Sequence, residues 1–165
     1  MTEILENFKS IVFSSYPRKI RSLPLKLYYN IYNLIQNGSQ DLFNGVEIET
    51  ITTCNRKCPH CPNAYIQRED AIMKEFLFMK IIDELAEIKF CGRISPHFYG
   101  EPLLDSRLPE LMSYTRRKLP FAHIQIFTNG DFLSKELFDE LVNRGVDDFC
   151  ITQHSKLMPK KIKHF

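Results

Sequence analysis

The sequence lacks both a large excess of one charge and a long apolar run. It has 22 Lys and Arg residues against 20 Asp and Glu residues, a formal net charge of +2 over 165 residues. This balance creates no broad electropositive field, so composition gives no evidence for nucleic-acid binding. The longest apolar tract, 23–35, is interrupted by Pro24, Lys26, Asn30 and Asn33. Because a spanning helix needs about 20 apolar residues, we expect a soluble chain with no membrane partner.

A secretory signal is also missing from the start of the chain. The first ten residues have neither a basic start nor an apolar core, and they include Glu3 and Glu6. The predicted location is therefore the reducing cytoplasm. With 44% apolar and 25% charged residues, the chain has the composition of one ordinary globular domain.

Cysteine is scarce, and its count is odd. Five cysteines make a disulfide framework improbable. Three of them, Cys54, Cys58 and Cys61, fall within eight residues, and clustered thiols in an intracellular chain more often bind metal. Cys91 and Cys150 stand at no ligand-like spacing, so we expect them to be small buried apolar residues.

Residues 1–45 and 46–165 differ in pattern. In the first segment, apolar residues follow one helical face and end at a glycine stop, Asn37-Gly38; these apolar residues are Leu27, Ile31, Leu34 and Ile35. We interpret 1–45 as a helical N-terminal extension that covers one end of the core. The core itself is predicted over 46–165.

The core alternates strand patterns with helix patterns. Strands are predicted over 46–52, 93–99, 122–128 and 148–153. Helices are predicted over 74–89, 106–119 and 134–144, with Ser106 capping the second helix and Gly145 stopping the third. Strands that alternate with helices imply βαβ crossovers and a parallel sheet. The fold class is therefore α/β, either an open doubly wound sheet or a sector of a barrel.

The strongest chemical signal is the array C-x-x-x-C-x-x-C at Cys54, Cys58 and Cys61, where the first predicted strand ends. Ligand sites of parallel sheets gather at the carboxyl ends of the strands. Three thiolates that hold a cubane iron–sulfur cluster leave one iron open to a non-protein ligand. The spacing therefore favours an iron–sulfur cluster with one open iron.

A zinc site is the main alternative, with His60 as a fourth ligand in a Cys₃His set. His60 is the immediate neighbour of Cys61, and adjacent residues seldom direct both side chains at one ion. We therefore interpret His60 as a loop side chain packed beside a bound ligand. Two further alternatives remain: a non-catalytic domain stabilised by zinc or iron–sulfur, and a simple electron carrier, which usually provides a full thiolate set.

The second predicted strand ends in Gly100-Glu101-Pro102. Together with the cysteine array, this motif resembles the radical S-adenosylmethionine (SAM) enzymes, and it is similar to their SPASM/twitch-type subgroup. The resemblance covers most of 46–154, and in that family the motif contacts the methionine amino group of SAM. An ammonium needs acceptors, which Glu101 or nearby carbonyl groups can supply, and Gly100 lets the backbone approach closely.

The third and fourth strand ends carry weaker signals. Thr128-Asn129-Gly130 is similar to the Thr-Asn-Gly found at this place in the subgroup, which implies that Thr128 and Asn129 lie on the active-site rim. At the fourth strand end, Gln153-His154 departs from the Ser or Thr followed by Asp-Gly of many relatives. We expect Gln153 or His154 to touch cofactor or substrate.

The resemblance also implies a fold and a reaction. The fold would be a partial (βα) barrel in which about four of six units are present, so that the chain looks incomplete after the fourth unit. The cofactors would be a 4Fe-4S cluster and S-adenosyl-L-methionine, with an electron donor such as flavodoxin or ferredoxin. Reductive cleavage of SAM would release a 5′-deoxyadenosyl radical that abstracts hydrogen from a substrate the sequence does not identify.

Overall fold

The computed structural model of the chain describes residues 43–152, together with Leu27, Ile31 and Leu34. The chain divides into two units, 1–42 and 43–165. In the first unit, the three described residues are helical and exposed. The predicted division into an extension over 1–45 and a core over 46–165 stays a prediction. Gln153 and His154 lie outside the described residues.

Four parallel strands form one sheet in the order β1-β2-β3-β4. The strands are β1 (Gly45–Glu47), β2 (Arg93–Ser95), β3 (His123–Thr128) and β4 (Asp148–Ile151). Each strand pairs in parallel with the next one along the chain, for example with Val46 opposite Ile94 and Ile126 opposite Phe149. The predicted alternating parallel α/β arrangement is confirmed.

The three crossover helices are α1 (Glu75–Glu87), α2 (Leu108–Lys118) and α3 (Lys135–Asn143). Helix α3 starts as predicted, because the Ser134 side chain accepts a hydrogen bond from the backbone N–H of Leu137 at 3.1 Å. It is followed by Gly145, whose φ of +100° favours glycine. None of the helices in the described part of the chain has the length and apolarity needed to cross a membrane.

Helix α2 begins differently from the prediction. The residue before the helix is Arg107, not Ser106, and no side chain caps this helix start. The Asp105 carbonyl accepts a hydrogen bond from the N–H of Leu108 at 2.9 Å, and its carboxylate accepts one from the N–H of Arg107 at 3.1 Å. These hydrogen bonds fold 105–108 into a turn that leads into α2, so the helix starts two residues later than predicted.

The core lies between the helices and one face of the sheet. In β3, buried and partly exposed residues alternate, so that Ile124 and Ile126 point into the core with Ile94 of β2. The helices contribute one apolar face each, including Phe78, Met112 and Leu141. Burying each such side chain stabilises the fold by about 1.5–3 kcal/mol. The packing of the helices on this face of the sheet fixes the positions of the strands, and the carboxyl ends of these strands carry the loops described below.

Strands β1 and β2 are shorter than the predicted ranges 46–52 and 93–99. After β1, the chain leaves β2 and pairs with 71–73 instead: the N–H of Thr52 donates to the Ala71 carbonyl at 3.0 Å, and the N–H of Met73 donates to the Thr50 carbonyl at 2.9 Å. After β2, the N–H groups of Tyr99 and Gly100 donate to a side chain rather than to a strand. Strands β1 and β2 therefore end early because the backbone groups that follow them hydrogen-bond to other partners.

Candidate functional site

Three segments meet at the carboxyl edge of the sheet. The cysteine loop, Cys54–Cys61, follows β1; the β2 loop, 97–105, follows β2; and the β3 turn, 129–131, follows β3. In a parallel sheet the strand ends lie side by side, so residues far apart in sequence become neighbours. The N–H of Glu101 donates to the Thr53 carbonyl at 2.9 Å, which joins the first two segments directly.

The cysteine loop is folded by turns of its own. The N–H of Cys61 donates to the Cys58 carbonyl at 3.0 Å, and a 3₁₀ turn, Pro62–Ala64, follows at once. The Tyr65 hydroxyl donates to the Pro59 carbonyl at 2.5 Å. The thiols of Cys54, Cys58 and Cys61 are partly buried on this loop. Cys91 and Cys150 are also only partly buried, so the prediction that they are buried is wrong.

The thiols and the β2 loop share one electrostatic environment. Burial raises the pKa of the Cys54 thiol above its ordinary 9.0, while a backbone hydrogen bond from Arg56 lowers it. The charges of Glu101 and of the other two thiols raise this pKa further. Because a thiolate is the form that binds metal, a positively charged group among the three thiols would relieve this repulsion.

The donor set suits a cluster better than a single ion. A single ion needs ligands directed at one point, whereas a cubane binds each thiolate at a different iron. Three partly buried cysteines on one loop are therefore the donor set that a 4Fe–4S cluster with one open iron needs.

Glu101 is a buried acidic residue of the β2 loop, with 3% of its surface exposed. One carboxylate oxygen accepts hydrogen bonds from the Thr128 hydroxyl at 2.6 Å and from the N–H of Leu103 at 3.1 Å. The other accepts from the N–H of Asn129 at 2.9 Å. Since a carboxylate offers about four acceptor positions, Glu101 ties β3 to the β2 loop and keeps limited capacity for a ligand.

Gly100 and Pro102 shape the backbone on either side of Glu101. A Cβ atom on Gly100 would lie 1.8 Å from the Ile51 carbonyl oxygen, so only glycine fits where the two strand ends cross. Pro102 is buried and opens the 3₁₀ turn Pro102–Leu104. The backbone at Gly100 thus approaches the chain at Ile51 closely, and the close approach to a cofactor predicted for Gly100 stays a prediction.

Glu49 is a second acidic centre, which none of the sequence motifs indicates. Its carboxylate accepts the N–H groups of Tyr99 at 2.9 Å and Gly100 at 3.1 Å, and Arg68 donates to both of its oxygens. Burial favours a higher pKa for Glu49, but the hydrogen bonds from Arg68, Tyr99 and Gly100 outweigh it and lower the pKa below 4.5. Glu49 therefore stays charged and anchors the β2 loop.

Asp131 of the β3 turn binds the cysteine loop. Its carboxylate accepts hydrogen bonds from the Asn55 amide at 2.8 Å and from Arg56 Nε at 2.7 Å. A second Arg56 nitrogen donates to the other oxygen. Beside it, the Asn129 amide donates to Asn55 Oδ1 at 2.8 Å. These partners lie about 75 residues apart in sequence, so no local spacing could have indicated them.

A cavity of about 380 Å³ opens beside the cysteine loop. Its lining is mostly polar and includes Cys54, Lys57, Asn63, Arg68 and Asp70. This volume is in the range of small-molecule sites. The cavity therefore has room for a polar ligand next to the first cysteine.

The predicted site residues divide into three groups. Those at the sheet edge come together: Gly100, Glu101, Pro102, Thr128 and Asn129 form one buried or partly buried network, which reaches the cysteine loop through Asn129. His60 lies on the cysteine loop and is exposed. Gln153 is outside the described residues. The cofactor contacts proposed for all of them stay predictions.

A parallel α/β domain with a three-thiol loop and a buried glutamate at its carboxyl edge defines a cofactor-binding class of protein. The particular family follows from sequence comparison: residues 48–155 match the Radical SAM superfamily. The chain belongs to this superfamily. Its members use a 4Fe–4S cluster and S-adenosylmethionine, which confirms the predicted family and its cofactors.

Two relatives illustrate the similarity. The chain is 40% identical over 115 residues to the S-adenosyl-L-methionine-dependent 2-deoxy-scyllo-inosamine dehydrogenase of Niallia circulans, covering 69% of this chain and 46% of that protein. It is 33% identical over 106 residues to the PqqA peptide cyclase of Streptomyces rochei, covering 62% and 28% respectively. The chain thus spans less than half the length of either relative.

Solved structures agree with the fold. The crystal structure of BtrN in complex with AdoMet and 2-DOIA matches with a TM-score of 0.69 and 39% sequence identity, covering 73% of this chain and 49% of that one. An open conformation of BtrN matches with a TM-score of 0.65 and 37% identity. The predicted partial α/β barrel of radical SAM type is confirmed.

Proposed function

We propose that this chain binds a 4Fe–4S cluster through Cys54, Cys58 and Cys61, binds S-adenosylmethionine beside it, and takes part in reductive SAM cleavage. The observation that carries the proposal is the meeting of the three-thiol loop and the buried Glu101 network at one sheet edge. When bound, the two cofactors supply a 5′-deoxyadenosyl radical that abstracts a hydrogen atom from a substrate.

The residues of the chain divide the work of binding. The three thiolates hold iron, and the backbone N–H of Arg56, which donates to Cys54 Sγ at 3.5 Å, stabilises the first of them. The SAM ammonium binds beside the segment Gly100-Glu101-Pro102. Hydrogen bonds from Thr128 and Asn129 orient the Glu101 carboxylate, whose remaining acceptor positions are available to this ammonium. His60 and Gln153 complete the proposed set of cofactor contacts.

An electron donor is the proposed protein partner, and a small flavodoxin or ferredoxin fits this role. Lys57 and His60 are exposed on the cysteine loop. An acidic redox protein can approach this loop closely, and complementary charge speeds such encounters. The cytoplasm is the proposed location, where such donors are found.

The first substrate to test is an aminocyclitol. The Niallia circulans relative is named for its action on 2-deoxy-scyllo-inosamine, and the polar cavity beside Cys54 suits a hydroxylated small molecule. We expect 2-deoxy-scyllo-inosamine to increase formation of 5′-deoxyadenosine above the rate without substrate. A peptide of similar solubility, tested because another relative is a peptide cyclase, serves as the matched comparison.

Anaerobic reconstitution with iron and sulfide tests the proposed function. We expect one cluster per chain and a paramagnetic signal of the reduced protein that changes when SAM is added. Cys58→Ala should abolish the cluster, and Cys91→Ala, at a cysteine outside the loop, should keep it. Bound zinc without iron would instead indicate a non-catalytic metal-stabilised domain, and a signal indifferent to SAM would indicate an electron carrier.

A further inference from the structure

The β3 turn contacts the cysteine loop at two of the three residues between Cys54 and Cys58, namely Asn55 and Arg56. We propose that Asp131 is a positioning residue: it holds Asn55 and Arg56 so that the loop presents its three thiols to the cluster in one geometry. The proposal deepens the proposed function, on which it rests. None of the sequence motifs assigns Asp131 a role.

The geometry is that of a clamp rather than of a single contact. Asp131 binds Arg56 through both carboxylate oxygens and also accepts a hydrogen bond from Asn55. A paired guanidinium–carboxylate contact fixes direction as well as distance. Asn129 binds the other end of the Asn55 amide at 2.8 Å. Both ends of that amide are therefore held by the β3 turn.

The turn is itself braced against the sheet. The Asn129 side-chain oxygen accepts a hydrogen bond from the N–H of Asp131 at 2.9 Å. The N–H of Asn129 donates to Glu101, and Gly130, with a φ of +79°, donates its N–H to the Thr128 hydroxyl at 3.0 Å. The end of β3 thus fixes the position of Asp131. Through its contacts with Asn55 and Arg56, Asp131 in turn holds the cysteine loop, which contains no strand.

Charge gives the clamp a second effect. The charges of Cys58 and Cys54 reach the Arg56 guanidinium, which is therefore close to the thiols as well as to Asp131. A cation near thiolates stabilises them. By fixing Arg56, whose backbone N–H also donates to Cys54 Sγ at 3.5 Å, Asp131 fixes a cation of the cysteine loop. A change at Asp131 should therefore alter the electronic environment of the cluster as well as the mobility of the loop.

The clamp differs from an ordinary surface ion pair. Its side chains are 25% exposed at Arg56 and 30% exposed at Asp131, whereas the Lys135–Asp139 pair within α3 is 67% and 51% exposed. Exposed pairs contribute little, because solvent screens them. Asp139→Ala is therefore a matched control that removes the same charge from a place without function.

The first test needs no cofactor. Hydrogen–deuterium exchange of the reduced, metal-free chain should show 54–61 exchanging about three- to tenfold faster in Asp131→Ala, the range expected for losing a partly exposed charged contact. Asp139→Ala should leave this segment unchanged, and Asp131→Glu, which keeps the charge, should restore part of the protection. Equal exchange in Asp131→Ala and the parent chain would overturn the proposal.

The second test uses the reconstituted chain. Asp131→Ala should hold at least twofold less iron, and the paramagnetic signal of its reduced cluster should differ from that of the parent, with Asp131→Glu returning toward it. If Asp131→Ala fails to fold, Asp131→Asn, which keeps the shape and removes the charge, takes its place. An unaltered signal and iron content would overturn the clamp. A parent chain that binds no cluster would refute the proposed function, while the exchange result would still decide the loop contact.

Discussion

The helix-packed face of the sheet and its carboxyl edge are held together by different interactions. Beneath the sheet, helices α1, α2 and α3 pack on apolar side chains such as Ile94, Ile124 and Ile126, which are fully buried. At the carboxyl edge, three carboxylates, those of Glu49, Glu101 and Asp131, hold the loops through directional hydrogen bonds. The stability of the core depends on the apolar area that it buries, whereas the structure of the carboxyl edge depends on a few hydrogen-bond acceptors in fixed positions.

This difference teaches where a single substitution does its damage. Apolar packing is shared among many contacts, so loss of one side chain lowers the stability of the whole domain. A carboxylate that satisfies several donors cannot be shared in this way, because its removal leaves specific buried groups without a partner. We therefore expect core substitutions to act on folding, and edge substitutions to act on the site as well as, by a smaller amount, on folding.

The largest expected effect is in the core. Ile126→Ala removes a fully buried side chain and leaves a cavity, so we expect the free energy of unfolding to fall by about 2–5 kcal/mol. Urea denaturation of the metal-free chain, followed by circular dichroism, measures this change. A loss below about 1 kcal/mol would show that the helix-packed face does not hold the domain together in the way described.

The next effect belongs to Glu101. Glu101→Ala leaves the Thr128 hydroxyl and the N–H groups of Leu103 and Asn129 without their acceptor. The free energy of unfolding should therefore fall by about 1.5–3 kcal/mol. Iron and sulfide content should stay largely intact, whereas SAM affinity should fall by about tenfold or more. Anaerobic titration with SAM checks this. Unchanged affinity would contradict a cofactor-binding role for Glu101.

Glu49 makes a pH-dependent contribution. Because its folded pKa lies below the ordinary 4.5, the charged carboxylate adds stability that is fully present above the unfolded pKa and is lost as pH falls through the folded value. Glu49→Gln should lower stability at neutral pH by on the order of 1.5 kcal/mol. It should also flatten the fall in stability below pH 4.5. Parallel pH profiles for parent and variant would count against this assignment.

The sequence was sufficient for the apolar half of this comparison. Period-two burial in β3 and the helical spacing of Phe78, Ile82 and Leu85 encode the core locally. The ends of β1 and β2 were predicted too long, because local β propensity at Thr50 and Thr52 does not show that 71–73 will compete for their backbone groups. A long-range partner decided those boundaries.

The polar half was only partly predictable. The cysteine spacing and Gly100-Glu101-Pro102 stand out because each is a compact local motif. Asp131 and Glu49 do not, since each makes its contacts with residues about 20 to 75 positions away. Such pairs become visible only when the fold brings the strand ends together.

The smallest expected effect sharpens the comparison, because it separates stability from function. The Ser134 side chain caps α3 by accepting the N–H of Leu137, so Ser134→Ala should cost about 1 kcal/mol of unfolding free energy. The Ser134 hydroxyl hydrogen-bonds within the first turn of α3, and this helix contributes its apolar face to the core, so cluster content and SAM affinity should match those of the parent. Urea denaturation and SAM titration of one preparation measure both quantities. If Ser134→Ala instead lost SAM affinity in proportion to its loss of stability, the arrangement of the edge carboxylates would depend on the packing of the core. The difference drawn between the two regions would then be wrong.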